Sequence, residues 1–263
     1  MTFYFTGTGN SYAAAIKLQQ NLHGDLISIT DCVQNGEFVF APADDEPVGI
    51  VCPIYYGGLP SIVNEFLEKV QFENAPSYLF GVLTYGGMMM GAGWRLEQKV
   101  KKAGLQLSAV FGVKMPANFA ILYEPPHEDA AKPILEASEK RLDVIAEKIR
   151  DRECVKEGAG IAEIALSTAN YPTYDRSRVT APFYVNDKCV SCGVCARRCP
   201  VKAIEMVDGK PTWVLEKCVF CMSCVRCGAI QYGNKLEGRY RYRHPVFRKK
   251  KHCCKKKDTA EVE

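Results

Sequence analysis

Eight of the chain's thirteen cysteines stand between positions 189 and 227. The first four run Cys189-Val-Ser-Cys192-Gly-Val-Cys195-Ala-Arg-Arg-Cys199-Pro200, and the second four run Cys218-Val-Phe-Cys221-Met-Ser-Cys224-Val-Arg-Cys227. Thiolates at such spacings are metal ligands. The first run is the C-x2-C-x2-C-x3-C-P pattern that holds [4Fe–4S] clusters, in which the fourth cysteine serves the other cluster. Interleaving then assigns Cys189, Cys192 and Cys195, with a fourth ligand from the second run, to one cluster. Cys218, Cys221 and Cys224, with Cys199, take the other. The second copy departs from the pattern. Ile204 lies nine positions after Cys195, but Ile230 only six after Cys224, and no proline follows the last cysteine. Cys227 is the candidate for the missing ligand. The shortening leaves open whether it reaches, which makes the first cluster the expected labile one. Structural zinc is the competing assignment, since it also takes four thiolates from C-x2-C pairs. Three cysteines in step before Cys-Pro favour iron and sulfide.

A second candidate site lies at the other end of the chain. Thr6-Gly7-Thr8-Gly9-Asn10-Ser11 combines glycines that allow close backbone approach with donors at Thr6, Thr8, Asn10 and Ser11. A helix follows, whose N-terminus favours negative charge, so the loop suits an anion. It is not a dinucleotide fingerprint, because Tyr12 replaces the third glycine, and it lacks the Gly-Lys-Ser/Thr of a Walker A loop. Taken alone, a Gly-x-Gly turn fits an unliganded strand-to-helix connection equally well. Two more loops repeat the arrangement. Residues 53–60 contain Tyr55-Tyr56-Gly57-Gly58, and residues 84–93 contain Gly86-Gly87-Met88-Met89-Met90. Ordinary loop packing competes for the tyrosine pair, and the methionines read as soft filling.

The elements that must position these loops follow from periodicity. Residues 2–5, 48–54, 78–85 and 107–113 are short apolar or aromatic runs suited to strands, the longer ones buried on both faces. Helices are expected after Asn10, from Ser61 as cap, from Trp94 to about Lys102, and from Ala130 to about Arg152. Strands alternating with helices make a parallel sheet covered on both sides. Ligands bind such sheets beyond the carboxyl ends of the strands. All three loops follow strands and should converge on one site. Residues 153–182 turn polar and proline-bearing and form the expected connection. An internal repeat follows: Tyr184-Val-Asn-Asp-Lys-Cys189 matches Trp213-Val-Leu-Glu-Lys-Cys218, and Ala203-Ile204 matches Ala229-Ile230, with Asp208-Gly209 turning between the copies. So small a unit needs its metal for stability.

With these motifs in place, residues 1–152 resemble a short-chain flavodoxin. The resemblance implies a doubly wound, five-stranded parallel sheet of order 2-1-3-4-5 and bound FMN. Its phosphate would lie on Thr6, Gly7, Thr8, Gly9, Asn10 and Ser11. The isoalloxazine ring would lie between the loop of Tyr55, Tyr56 and Gly57 and the loop of Gly86 and Gly87, with either tyrosine stacked on it. Residues 183–235 resemble a small α+β ferredoxin domain with two [4Fe–4S] clusters. The whole is similar to the flavodoxin–ferredoxin fusion family of anaerobes.

At 263 residues, 47% of them hydrophobic, the chain can build both units. It contains no apolar run long enough for a membrane span and no signal-peptide pattern. An odd cysteine count with ligand-like spacing points to a reducing cytoplasm rather than to disulfides. The net charge of +4 conceals an acidic body and a basic tail (236–263), so nucleic acid is not implied. Residues 248–263, with Cys253 and Cys254, read as a solvated tail, while 239–247 could fold back on the body. Cys32, Cys52 and Cys154 read as structural, and His23 and His127 as surface residues. The expected function is electron transfer between FMN and two clusters, to or from a redox protein or small-molecule donor or acceptor. The alternatives are an FMN-dependent reductase of a small molecule, and a non-enzymatic iron–sulfur sensor on a flavin-free scaffold. No acid–base catalytic residue stands out.

Overall fold

A computed structural model describes residues 1–247. The basic segment 248–263, with Cys253 and Cys254, lies outside the described residues. The N-terminal part alternates strands and helices: β1 (Thr2–Tyr4), α1 (Asn10–Leu22), β2 (Leu26–Ser28), α2 (Ile29–Asn35), β3 (Val39–Phe40), β4 (Val48–Pro53), α3 (Ser61–Lys69), β5 (Gln71–Phe72), β6 (Leu79–Tyr85), α4 (Ala92–Lys102), β7 (Ala109–Lys114) and α5 (Glu128–Arg150). The main sheet has the order β2-β1-β4-β6-β7 and is parallel throughout. With the two-residue β3–β5 ladder set aside, this is the 2-1-3-4-5 order of a doubly wound flavodoxin-like sheet.

Burial explains the strand sequences. Val48–Cys52 and Leu79–Thr84 are buried at every position, because successive side chains enter cores on opposite faces. Ile50, Leu79 and Leu83 join Phe3, Phe66 and Leu96 on one side. Val51, Phe80 and Val82 join Leu18, Phe111 and Ile145 on the other. In-register pairing of Pro53 with Thr84 and of Thr84 with Val113 brings the strand ends level, so the loops that follow share one rim.

One helix start differs from expectation. Pro60 takes the cap position of α3 and Ser61 is its first helical residue, with no side-chain cap. The backbone N–H of Ser61 instead donates to the Tyr174 hydroxyl at 3.2 Å.

Residues 153–182 are built rather than loose. Val155 and Glu157 hydrogen-bond to both sides of Val110 and extend the sheet edge. Two helices follow, α6 (Ile161–Asn170) and α7 (Pro172–Ser177). A side chain of α6 and that of Tyr171, at the junction of the two helices, fasten the second loop. The Ser167 hydroxyl donates to the Gly57 carbonyl at 2.6 Å and the Tyr171 hydroxyl to that of Leu59 at 2.6 Å.

The cysteine-rich part is a pseudo-symmetric pair of units. β8 (Phe183–Val185) pairs antiparallel with β11 (Ile230–Tyr232), and β9 (Ile204–Val207) with β10 (Lys210–Trp213). Asp208 and Gly209, at φ 48° and 75°, make the tight turn between the inner strands, where two left-handed residues suit a two-residue hairpin. The first copy contains α8 (Val194–Arg197), whereas the shortened second copy has a single 3-10 turn, Cys224–Cys227, ended by left-handed Gly228. The following segment returns to the N-terminal half. Arg239 donates to the Ala120 carbonyl at 2.7 Å, and the His244 N–H to that of Thr8 at 3.0 Å.

Candidate functional site

The loops after β1, β4, β6 and β7 enclose a cavity of about 310 Å³, within the ~300–1,000 Å³ of small-molecule sites. Of the residues expected there, Thr6, Gly7, Thr8, Asn10, Ser11, Tyr55, Tyr56, Gly57, Gly86 and Gly87 line it. Gly9 does not: it turns behind the cavity at φ 106°, and its outer side meets His244 and Phe247. Met88 and Met90, expected as packing, line the cavity too, and only Met89 is core. Sequence reasoning missed a fourth loop. Pro116, Ala117, Asn118, Phe119, Leu122 and Tyr123 form one wall. They too follow a strand end, but no glycine motif marks them.

The polar rim is largely pre-set. Gly9 N–H donates to the Thr6 hydroxyl at 3.1 Å, the Asn118 amide donates to Thr8 Oγ1, and the hydroxyls of Ser11 and Thr84 share a 2.8 Å bond. Asn10 donates to the Pro116 carbonyl at 2.9 Å. Its Oδ1 is buried and lacks a partner, which is costly unless a ligand supplies a donor. No acidic residue occupies the first turn of α1, so its positive end is free for an anion. Tyr56, at φ 53°, sets its ring 5.7 Å from Tyr174 and 5.8 Å from Phe119, and Tyr55 sits 6.0 Å from Tyr174. Burial raises the Tyr55 hydroxyl well above its usual range, so it remains protonated. The orphaned Asn10 oxygen, the open helix end and the aromatic walls together suit a ligand with hydroxyl donors, an anionic group and a flat ring, and a flavin nucleotide has all three.

The remaining wall comes from the cysteine-rich part. Phe220, Cys221 and Met222 line the same cavity, and Gly7 packs so tightly on Cys221 that a Cβ there would stand 3.0 Å from the Cys221 Cβ. The Tyr174 hydroxyl donates to the Val219 carbonyl at 2.7 Å, and Gln34 donates to the carbonyls of Cys199 and Pro200 at 3.1 and 3.0 Å. The first half thus grips the second run and the Cys-Pro turn from several sides.

The cysteines ring two voids. Cys199, Cys218, Cys221 and Cys224 surround the inner one, beside the cavity. Cys189, Cys192, Cys195 and Cys227 surround the outer one, which Cys224 also borders. The 3-10 turn therefore carries Cys227 across the shortened copy to the first three cysteines. Among the described residues no three Cys, His, Asp or Glu side chains converge closely enough to hold a single metal ion. Thiols spaced around a void suit a cluster, which offers one iron to each, better than one zinc.

Backbone shape agrees with this. Ser191 and Gly193 in the first run, and Phe220 and Met222 at the matching places in the second, all have φ between 54° and 67°. Phe and Met seldom adopt that conformation, and such strain gathers at functional sites. It curls the loop so that backbone N–H groups can face an anionic centre. Already Phe220 N–H donates to Cys218 Sγ at 3.3 Å and Ala203 N–H to Cys199 Sγ at 3.2 Å. Burial pushes the thiol of Cys218 up to about 11 and that of Cys221 to about 12. Deprotonated inner cysteines therefore need a cation to offset their burial. On the outer void Cys192 is exposed.

Residues 1–117 match the family model of a flavodoxin domain, and residues 181–227 that of a 4Fe-4S dicluster domain. No curated protein matches the chain. Among solved structures it is similar to the rubredoxin oxygen:oxidoreductase from the anaerobe Desulfovibrio gigas (12% identity, 57% of this chain and 36% of that one, TM-score 0.34). It is also similar to a flavodoxin from the domain Archaea (13%, 57% and 96%, 0.31). A third is the FMN-dependent NADH-azoreductase from Bacillus anthracis (8%, 56% and 98%, 0.34). The chain thus joins a flavodoxin domain to a 4Fe-4S dicluster domain, the layout of a redox protein.

Proposed function

We propose that the two domains form one electron-transfer unit, with FMN in the cavity and a [4Fe–4S] cluster in each void. The observation that carries this is the shared wall: Cys221, which borders the inner void, also lines the cavity. A flavin exchanges one or two electrons and a cluster one at a time, so their adjacency would join two-electron to one-electron chemistry.

This chain's residues have definable tasks. Thr6, Thr8, Asn10 and Ser11 would hold the phosphate end through their hydroxyl and amide donors, while the Asn10 Oδ1 would accept from a hydroxyl of the cofactor's ribityl chain. Tyr55, Tyr56 and Phe119 would bracket the ring, with Gly86 and Gly87 at its polar edge. Phe220 and Met222 line both the cavity and the inner void and would keep water out of the boundary between them. Cys199, Cys218, Cys221 and Cys224 would ligate the inner cluster, and Cys189, Cys192, Cys195 and Cys227 the outer. The exposed Cys192 makes the outer void the natural exit or entry for a partner, and the inner void the intermediate stop.

Anaerobic purification followed by flavin, iron and sulfide analysis tests the proposal. FMN together with the iron and sulfide of two clusters supports it. Zinc without iron overturns it, and iron without flavin reduces it to a ferredoxin on a silent scaffold. Saturable oxidation of the reduced protein by a small metabolite would favour a reductase instead.

A further inference from the structure

The two voids differ in the charge around them. No ionisable side chain other than cysteine lines the inner void, whose walls include Phe183, Trp213, Val219 and Phe220. The cations beside Cys218 are Arg178, which donates to the Cys218 carbonyl at 3.2 Å, and Lys217, and both are paired with Asp175. The outer void is different. Arg226 lines it directly, and its Nη1 is buried with no hydrogen-bond partner. Arg241 interacts electrostatically with Cys227. Its Nη1 and Nη2 are spent on carbonyls of Arg239 and Leu236, while its Nε is buried and unpartnered. The Arg197 guanidinium lies over Gly193, another lining residue. Among the described residues none of these three arginines forms an ion pair within salt-bridge distance. The acid that acts on Arg241, Glu124, is itself engaged by the Tyr240 N–H at 2.8 Å.

Arg226 and Arg241 are half-buried, and a guanidinium nitrogen buried without an acceptor is unfavourable unless something anionic stands beside it. A thiolate-bound cluster is anionic, and each reduction adds one more negative charge. Charge, hydrogen bonds and solvent exposure set cluster potentials. Here unpaired cations and exposure at Cys192 act in the same direction, favouring the reduced form of the outer cluster. The inner cluster has apolar walls, which disfavour added charge.

We propose that Arg226 and Arg241 hold the reduction potential of the outer cluster above that of the inner one, so that electrons shared between the clusters settle at the protein surface. This rests on the two-cluster assignment made above. It gives the relay a downhill direction from cavity to exterior and assigns a potential-setting role to residues that are neither ligands nor core.

The test is an EPR-monitored redox titration of the iron-loaded, full-length protein, as wild type, Arg226→Gln and Arg226→Lys. The wild type should titrate in two separate waves. Arg226→Gln should lower the upper wave by at least about tenfold in its equilibrium, ~59 mV for one electron, and leave the lower wave in place. Arg226→Lys, which keeps the charge, should restore most of the difference. A shift of the lower wave, of both waves, or of neither overturns the inference. Where Arg226→Gln does not hold iron, Arg241→Gln is read by the same criteria. A wild type with less iron and sulfide than two clusters require fails the cluster assignment itself, and the inference with it.

Discussion

Gly7 packs directly on Cys221 of the cysteine-rich part, and the consequence of filling it can be worked out. A Cβ on Gly7 would run into the Cys221 carbonyl oxygen first, and would also lie 3.0 Å from the Cys221 Cβ and 3.1 Å from its carbonyl carbon. Carbon atoms prefer about 3.5–4.0 Å, and the closer oxygen demands the larger shift, so the loops would have to part by about 1 Å or more. The obstructing atoms include backbone, which cannot rotate away as a side chain can. Overpacking of this kind costs about 1–3 kcal/mol, or roughly 5- to 150-fold in an equilibrium constant. Gly87 lines the same cavity, yet an added Cβ there meets nothing within 4 Å. Gly7→Ala should therefore lower the urea midpoint of the flavin-free, iron-loaded protein and weaken FMN binding by a similar factor. Gly87→Ala should leave that midpoint unchanged. Fluorescence titration with FMN and urea unfolding of both variants make the comparison. An unchanged midpoint and affinity in Gly7→Ala, or an equal loss of stability in Gly87→Ala, would refute the contact as the join between the domains.

Other outcomes follow from the same geometry. Cys227→Ala should lose the outer cluster and keep the inner one, halving iron content; loss of both, or of neither, contradicts the ligand sets. Phe247 packs on Tyr12 at 5.5 Å behind the first loop, and aromatic pairs contribute ~0.5–1.5 kcal/mol. Phe247→Ala should then raise the FMN dissociation constant up to about tenfold without iron loss, and equal affinity in both proteins would count against a strap that steadies the loop. Hydrogen bonds from Lys217, and less so from Arg178, hold the Asp175 carboxyl below its usual range. Its folded-state value is depressed, so its contribution is present above the unfolded value near 3.9 and fades as pH falls through the folded one. Because Asp175 is exposed, the effect should stay below about 1 kcal/mol and shrink in salt. Asp175→Asn should remove that part of the acid dependence in urea unfolding, and an identical pH profile for variant and wild type would dismiss it.

Much of the fold was legible because buried parallel strands need unbroken apolar runs. Val48–Cys52 and Leu79–Thr84 have them. β2 escaped notice because Leu26–Ser28 is three residues long and only half-buried, with neither period nor run to mark it. The Ser61 cap was misread because Pro60 already supplies the extended residue before the helix, and the serine amide goes to a tyrosine far along the chain. Within the site, the glycine loops announce themselves. Phe220 and Met222 do not: in the sequence they are spacers between cysteines, and only the packing of the domains brings them to the cavity wall. Their one sequence clue is bulk at the repeat positions where the first copy carries Ser191 and Gly193. The Cys227 question had the same origin, since spacing alone does not say that a 3-10 turn can replace the missing residues.

The central claim is that flavin and clusters exchange electrons within one chain. It is tested most directly by driving a single electron into the flavin of the anaerobic holoprotein with a light pulse, then following the flavin and iron–sulfur absorption bands together. The account predicts that flavin reoxidation and cluster bleaching proceed together, at a rate independent of protein concentration. A rate that rises with protein concentration, or clusters that stay oxidised while the flavin remains reduced, would contradict it.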